Sequence, residues 1–301
     1  MTMLWLVRVH HKAANLRRPH VFWAAKYLIC CTALLIGFTG CITLSFTYNH
    51  AERLLLWRID RYFQLSQDQD AYLKAKLSEL YVWHRQTELP RYSEFLRQVN
   101  ERWQDGLTLE EIDWSFDTFA KLRGSLADRI AGPGSAFLVT VDAKQLKHLE
   151  RVVQREHRQW QARAGATPEE RSAKRAKNVI SSLRDWLGPL TVEQERLTER
   201  LVKDMTATTD DWFTYRMKRK EEFVQLLQSR PKSAVIEHKL EEWFEPSEKP
   251  SAGQNDSIQR LRQDVKRTIL TIDRTITSRQ RAHASEKLQK LIGEIQSLAA
   301  S

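Results

Sequence analysis

An all-α fold follows from three features of the sequence. Apolar residues recur three or four positions apart along nearly the whole chain beyond residue 47. A Ser, Thr or Asp is followed three positions later by Gln or Glu at five places, which marks helix starts. Only Ala136–Val141 reads like a strand, and one strand alone has nothing to pair with. The expected architecture is an elongated multi-helix bundle. It would carry a signal or lipid anchor at its N-terminus and a long helix or helix pair at its C-terminus.

The N-terminal element is the run Tyr27–Phe46, which holds no charged residue over 20 positions. Arg8, Lys12, Arg17, Arg18 and Lys26 precede it, with no acidic residue among them. A basic region followed by an apolar one has the form of an export signal. Phe38-Thr39-Gly40-Cys41 resembles a lipoprotein cleavage box, in which small residues precede a cysteine that becomes the acylated N-terminus. Residues 1–40 would then be a signal peptide, with Cys41 the lipidated residue. Twenty apolar residues are also enough for an uncleaved single span, and the cationic N-terminus would stay cytoplasmic in either case. Ile42 is not the Asp associated with inner-membrane retention, which favours the periplasmic face of the outer membrane. An inner-membrane single-pass anchor is the alternative location.

Composition agrees with export. All three cysteines (Cys30, Cys31 and Cys41) lie in the first 41 residues, so a processed chain contains no internal cysteine pair. The formal charge of +10 includes +5 from residues 1–40, which leaves 10 − 5 = +5 beyond them. That excess is smaller than a dedicated nucleic-acid binder carries.

From Tyr48 to Phe63, Leu54, Leu55, Trp57, Ile59, Tyr62 and Phe63 form a broad apolar face. From Gln67 to Glu88 the stripe is Leu73, Leu77, Leu80, Tyr81 and His84. A break is expected at Leu89-Pro90, because proline disfavours helix in the preceding residue. A further stripe (Tyr92, Phe95, Leu96, Val99, Trp103) ends near Asp105-Gly106. Helices are then expected over about 109–130, 143–163, 168–187, 192–229 and 231–244. Their boundaries are Gly132-Pro133-Gly134, Gly165–Pro168, Gly188-Pro189 and Pro231. The periplasmic helical domain is read as residues 41–245 and a linker rich in Pro, Ser and Gly as 246–257. In the C-terminal amphipathic segment, 258–301, the stripe runs from Ile258 through Leu261, Val265, Ile269, Ile272 and Ile276 to Leu288, Leu291, Ile295 and Leu298. That stripe is expected to pack back on the main domain, with pairing to a second chain as the alternative.

The five helix starts are Leu65-Ser66-x-x-Gln69, Leu107-Thr108-x-x-Glu111, Val141-Asp142-x-x-Gln145, Leu190-Thr191-x-x-Gln194 and Ile276-Thr277-x-x-Gln280. Each reads as a capping box in which the two side chains serve backbone N–H groups reciprocally, contributing about 0.5–2 kcal/mol. Only Ile112 and Leu146 suit the apolar staple. Gln145-x-x-His148 and Gln280-x-x-His283 share one residue more, a trace of an internal repeat.

Tyr48-Asn49, Leu54-Leu55-Leu56-Trp57, Asp60, Tyr62-Phe63 and Leu65-Ser66-x-x-Gln69 together resemble an uncharacterised family of Gram-negative helical lipoproteins, a domain of unknown function. Trp83-His84-Arg85 and Glu88-Leu89-Pro90-Arg91-Tyr92 extend the likeness, and weaker stretches carry it through Gln194 and beyond Ile276. Arg58, Arg61 and Ser66-Gln67 depart from that pattern. The resemblance implies an all-helical periplasmic domain tethered to the outer membrane, with no known activity. The Leu-Thr-x-x-Gln starts are also similar to the motif of the Spy and CpxP periplasmic proteins.

Candidate chemistry is sparse. His84 and Glu88 stand one helical turn apart, but no H-E-x-x-H and no third ligand accompanies them, so no metal and no cofactor are expected. His148, Glu150, Glu156 and His157 do not share one face. Asp60 sits among aromatic residues, which predicts a partly buried carboxylate paired with Arg58 or Arg61. Neither a phosphate loop nor a nucleophile elbow occurs, and no catalytic residue is expected. Arg171, Lys174, Arg175 and Lys177 form a basic patch suited to a solvated face or an anionic partner. Of the eight tryptophans beyond Cys41 most belong on core stripes. The expected function is a non-enzymatic envelope protein that binds a protein partner or a partly folded client. The candidate surface comprises Trp57, Asp60, Tyr62, Trp83, His84, Arg85, Glu88, Arg171, Lys174 and Arg175. A membrane-anchored oligomeric scaffold, assembled through the C-terminal helix, is the alternative, and a metal-dependent hydrolase is the least favoured class.

Overall fold

Four helix N-termini, joined in two pairs, hold the helices together. The computed structural model describes residues 42–165, 167–244 and 255–301, all in the compact unit Gly37–Ser301. Cys41, the segment before it and most of the expected linker lie outside the described residues.

Twelve α-helices and one π-helical turn make up the described residues, with no strand among them. In chain order they are α1 (Ile42–Asn49), α2 (Ala51–Phe63), α3 (Gln67–Trp83), the π turn (His84–Glu88) and α4 (Leu89–Arg102). Then come α5 (Leu109–Leu138), α6 (Ala143–Ala164), α7 (Pro168–Leu187) and α8 (Val192–Asp204). The last four are α9 (Thr206–Gln228), α10 (Ser233–Phe244), α11 (Asn255–Asp273) and α12 (Ser278–Ala300).

All five expected capping boxes form, at Ser66/Gln69, Thr108/Glu111, Asp142/Gln145, Thr191/Gln194 and Thr277/Gln280. The four that end in glutamine then pair. Gln69 and Gln145 are buried and exchange amide hydrogen bonds of 3.2 and 2.7 Å. Gln194 and Gln280 do the same at 2.9 Å in both directions. Each amide also donates to the carbonyl five residues before its partner: Gln69 to Thr140, Gln145 to Gln64, Gln194 to Thr275 and Gln280 to Pro189. Every side-chain oxygen meanwhile accepts from its own cap N–H. Buried amides satisfied in this way cost little desolvation and admit only one arrangement of the four chain segments.

Each clasp joins two helical hairpins. In the first, α2–α3 meets α5–α6, with α2 on α6 and α3 on α5; in the second, α7–α8 meets α11–α12, with α7 on α12 and α8 on α11. The trace of a repeat in the sequence thus corresponds to one packing unit used twice. Around the first clasp lies an apolar cluster that includes Phe63, Leu73, Phe137, Val141, Leu149 and Ile236. The C-terminal stripe does pack back. Leu288, Leu291, Ile292, Ile295 and Leu298 of α12 are buried, and α12 lies on α4, α7, the π turn and α1.

Several local expectations are corrected. Leu89-Pro90 does not end a helix: the π turn hands α3 on to α4, and the Leu89 N–H bonds back to the His84 carbonyl five residues earlier. That longer bond moves the ladder out of register just where proline lacks its N–H. Gly132-Pro133-Gly134 likewise sits inside α5, and the strand-like Ala136–Val141 is the end of that helix and the turn after it. There the Gly132 and Pro133 carbonyls accept from the Ser135 and Tyr72 hydroxyls. The reason for the glycines is α10. A methyl on Gly134 would stand 3.2 Å from Leu240 Cδ1, and one on Gly132 3.3 Å from Glu237 Oε1. Small residues bring the two backbones together, with Ala131, Ser135 and Ile236 almost wholly buried between them. The single helix expected over 192–229 is two, divided at Met205.

Candidate functional site

Three groups of candidate residues lie apart from one another in their contacts. The first surrounds the π turn. Tyr48 of α1 and the His84 Nδ1 are 3.0 Å apart, and the Tyr81 hydroxyl donates to the Tyr48 carbonyl. The Arg85 guanidinium donates to Asn49, Tyr81 and the Ser301 hydroxyl, and lies over the rings of Tyr48 and Tyr81. Burial lowers the His84 pKa to about 4, so the imidazole is neutral at physiological pH. Burial also raises the Tyr48 phenol, which therefore remains protonated. Glu88 is wholly buried and accepts through Oε1 from Arg91 at 2.8 Å and Ser125 at 2.9 Å. Trp83 lies beneath the Arg129 guanidinium. This cluster fixes α1 and α12 to the π turn.

The second group is on α2. Tyr62 donates to Glu156 of α6, which also holds Lys220 of α9 at 3.0 Å. Arg58 donates to the Tyr62 hydroxyl. Asp60 is not partly buried as expected. It is exposed, and its carboxylate accepts from the Leu65 N–H at the end of α2. Trp57 is not core either: it is 52% exposed and is the only exposed tryptophan among the described residues.

The third group is the basic patch on α7. Arg171 and Arg175 both bind Asp210 of α9, at 2.7 and 2.9 Å, so the patch is largely an interhelical ion triad. Lys174 and Lys177 point outward. Sequence reading missed Asp210 and Glu156 as the acceptors, because neither lies near its partners in the chain.

The other tryptophans are half-buried, most of them under cations: Trp103 under Arg281, Trp114 under Arg102, Trp186 under Lys287, Trp212 under Arg216 and Trp243 under Arg219. Trp160 instead faces Phe213. Such cation–π roofs leave little aromatic surface for a groove.

An open cleft of about 450 Å³ lies between the turn at Asp105–Thr108 and the turn at Asp273–Ile276. Two of its three acidic groups are engaged: Asp273 with Trp103 Nε1, the Leu107 N–H and Arg281, and Glu111 with Thr108. Among the described residues no group of His, Cys, Asp and Glu is arranged to hold a metal. No described helix is long and apolar enough to cross a membrane.

Comparison with curated proteins and with solved structures finds no match. Residues 61–251, well over half of the chain, match a family of unknown function, DUF6279, and the chain belongs to that family.

Proposed function

We propose that this chain is a non-enzymatic envelope protein, lipid-anchored through Cys41 on the periplasmic side of the outer membrane, which binds a protein partner or a partly folded client. The observation that carries the non-enzymatic reading is that the candidate reactive groups serve the fold. His84 is bonded to Tyr48, Glu88 to Arg91 and Ser125, and Arg171 with Arg175 to Asp210. A catalytic acid, base or ligand needs an atom open to substrate, and these side chains are turned into helix packing. The tether is supported by the basic stretch, the apolar run and the small residues before Cys41. The Leu190-Thr191-x-x-Gln194 start, which is similar to the motif of the Spy and CpxP periplasmic proteins, supports the periplasmic location.

The test is crosslinking in living cells from photoreactive groups at exposed positions of the full chain. A saturable adduct with a defined envelope protein, absent when the crosslinker is moved to the opposite face, is the expected result. Uniform absence of adducts, together with failure of the purified protein to suppress aggregation of a denatured client, would reject partner binding.

A further inference from the structure

Three of the eight exposed large apolar residues among those described fall on the two helices that follow Cys41: Phe46 at 63% exposure, Leu54 at 48% and Trp57 at 52%. The remaining five are single valines or leucines spread over other elements. His50 closes α1, yet helical bonding runs through it, from His50 N–H to the Phe46 carbonyl and from Leu54 N–H to the His50 carbonyl. At the helical period, Phe46, His50, Arg53, Leu54 and Trp57 therefore share one side of a nearly continuous rod. Arg53 is exposed on that side, and its guanidinium is 2.8 Å from His50 Nδ1. Glu52 and Asp60 are the acidic residues on this stretch, and Asp60 is turned to the Leu65 N–H.

The opposite side of the rod cannot roll outward. Leu44 is buried where α1 meets α12, Tyr48 and Asn49 are bonded to the π turn, and Phe63 lies in the apolar cluster. The face that remains outward is thus set by the fold.

We propose that this face of α1 and α2 lies on the surface of the same bilayer that holds the N-terminal anchor, with Phe46, Leu54 and Trp57 in the interfacial zone and Arg53 at lipid phosphate. This rests on the reading of residues before Ile42 as a membrane tether. The apolar run ends at Phe46, so the first exposed side chain among those described on the rod is also the last residue of the membrane-directed stretch. With no spacer after Cys41, the rod either stands upright or lies down. Upright, Trp57 would be about 22 Å from the surface, with three apolar side chains in water. Lying down, a tryptophan and a phenylalanine take the position that aromatic side chains prefer at an interface, and a guanidinium meets anionic headgroups. The tether supplies a local concentration of about millimolar, so a face too small to bind membranes alone is enough. The occupant is lipid rather than protein, because nothing in the chain separates this face from the anchor.

The experiment reconstitutes the acylated chain that begins at Cys41, whose thiol the lipid occupies, into vesicles of phosphatidylethanolamine and phosphatidylglycerol. A polarity-sensitive dye is placed by Leu54→Cys or Trp57→Cys, with Glu199→Cys as the distant exposed control and the parent chain as background. The dyes at positions 54 and 57 should be blue-shifted and quenched several-fold more by lipid-borne nitroxide than the dye at 199. Equal quenching at all three positions on vesicle-bound protein overturns the docking and leaves the tether standing. Failure of the chain to remain with the vesicles overturns the tether and the docking with it. Shielding in native envelopes but not in lipid vesicles identifies a protein occupant and also overturns the proposal.

Discussion

Gln194 and Gln280, 86 positions apart, exchange amide hydrogen bonds of 2.9 Å in both directions while each caps its own helix. One side chain therefore ends a helix ladder and binds a second helix start at the same time. Replacing either strands buried partners: the other amide, a cap N–H and the carbonyl of Thr275 or Pro189.

Gln280→Ala should lower stability by about 2–4 kcal/mol, because several buried groups lose partners together. In a double-mutant cycle with Gln194→Ala, the two losses should fall short of additivity by about 1 kcal/mol or more. Glu111→Ala, in the capping box that has no such counterpart, should cost only about 1 kcal/mol. Denaturant unfolding of the three variants checks this, and equal costs at Glu111 and Gln280 would reject the clasp as a stabilising unit.

What the sequence revealed and what it hid divide along chain distance. A capping box is local, so all five were readable from residues three apart. The pairing of Gln69 with Gln145 is not local, and its only trace was the histidine shared by Gln145-x-x-His148 and Gln280-x-x-His283. His148 does reach the partner hairpin, 3.0 Å from the Arg61 carbonyl. The proline rules misplaced two helix ends for a physical reason. A π turn takes up Pro90, and side-chain hydroxyls together with close packing of α10 accommodate Pro133. Periodicity put Leu54 and Trp57 on one broad apolar face with Ile59, Tyr62 and Phe63, whereas the fold buries Phe63 with Ile59 and Tyr62 against it and turns Leu54 and Trp57 outward. Asp60 was expected to be a partly buried carboxylate paired with Arg58 or Arg61, whereas it is exposed and accepts from the Leu65 N–H, just past the left-handed turn at Gln64.

The glycines of α5 should separate by environment. Gly124 has open space where a methyl would be, so Gly124→Ala should raise stability by about 0.5–1 kcal/mol through helix propensity alone. Gly134 faces Leu240 at 3.2 Å, so Gly134→Val should lower stability by about 1–3 kcal/mol through overpacking against α10. Thermal unfolding of both variants distinguishes them, and a stabilised Gly134→Val would contradict the close approach.

Acid should weaken the π-turn cluster through His84. Its folded pKa is lowered by burial to about 4 from the ordinary 6.5. Between these values the unfolded chain binds a proton that the folded chain does not, so stability falls as pH drops from 6.5 to 4. Above that window His84 contributes no pH dependence, and below it the loss is complete. His84→Gln should flatten this part of the stability profile; an unchanged slope would place the titration elsewhere.

The Arg171–Asp210–Arg175 triad predicts that Asp210→Ala destabilises by about 1–3 kcal/mol and that salt reduces the difference between variant and parent. Lys177→Ala, on the outward side of α7, should stay within about 0.5 kcal/mol of the parent. Urea midpoints at low and high ionic strength provide the check.

The tether at Cys41 is the claim on which the functional account depends. Its most direct measurement follows the wild-type chain and Cys41→Ala in cells, with and without an inhibitor of lipoprotein signal peptidase, by size, acyl labelling and membrane fraction. The account predicts a shortened, acylated wild type in the outer membrane, arrested at full length by the inhibitor, and a Cys41→Ala chain that is never acylated. Full-length, unlabelled protein in the inner membrane for both chains would contradict it and make Tyr27–Phe46 a single-span anchor.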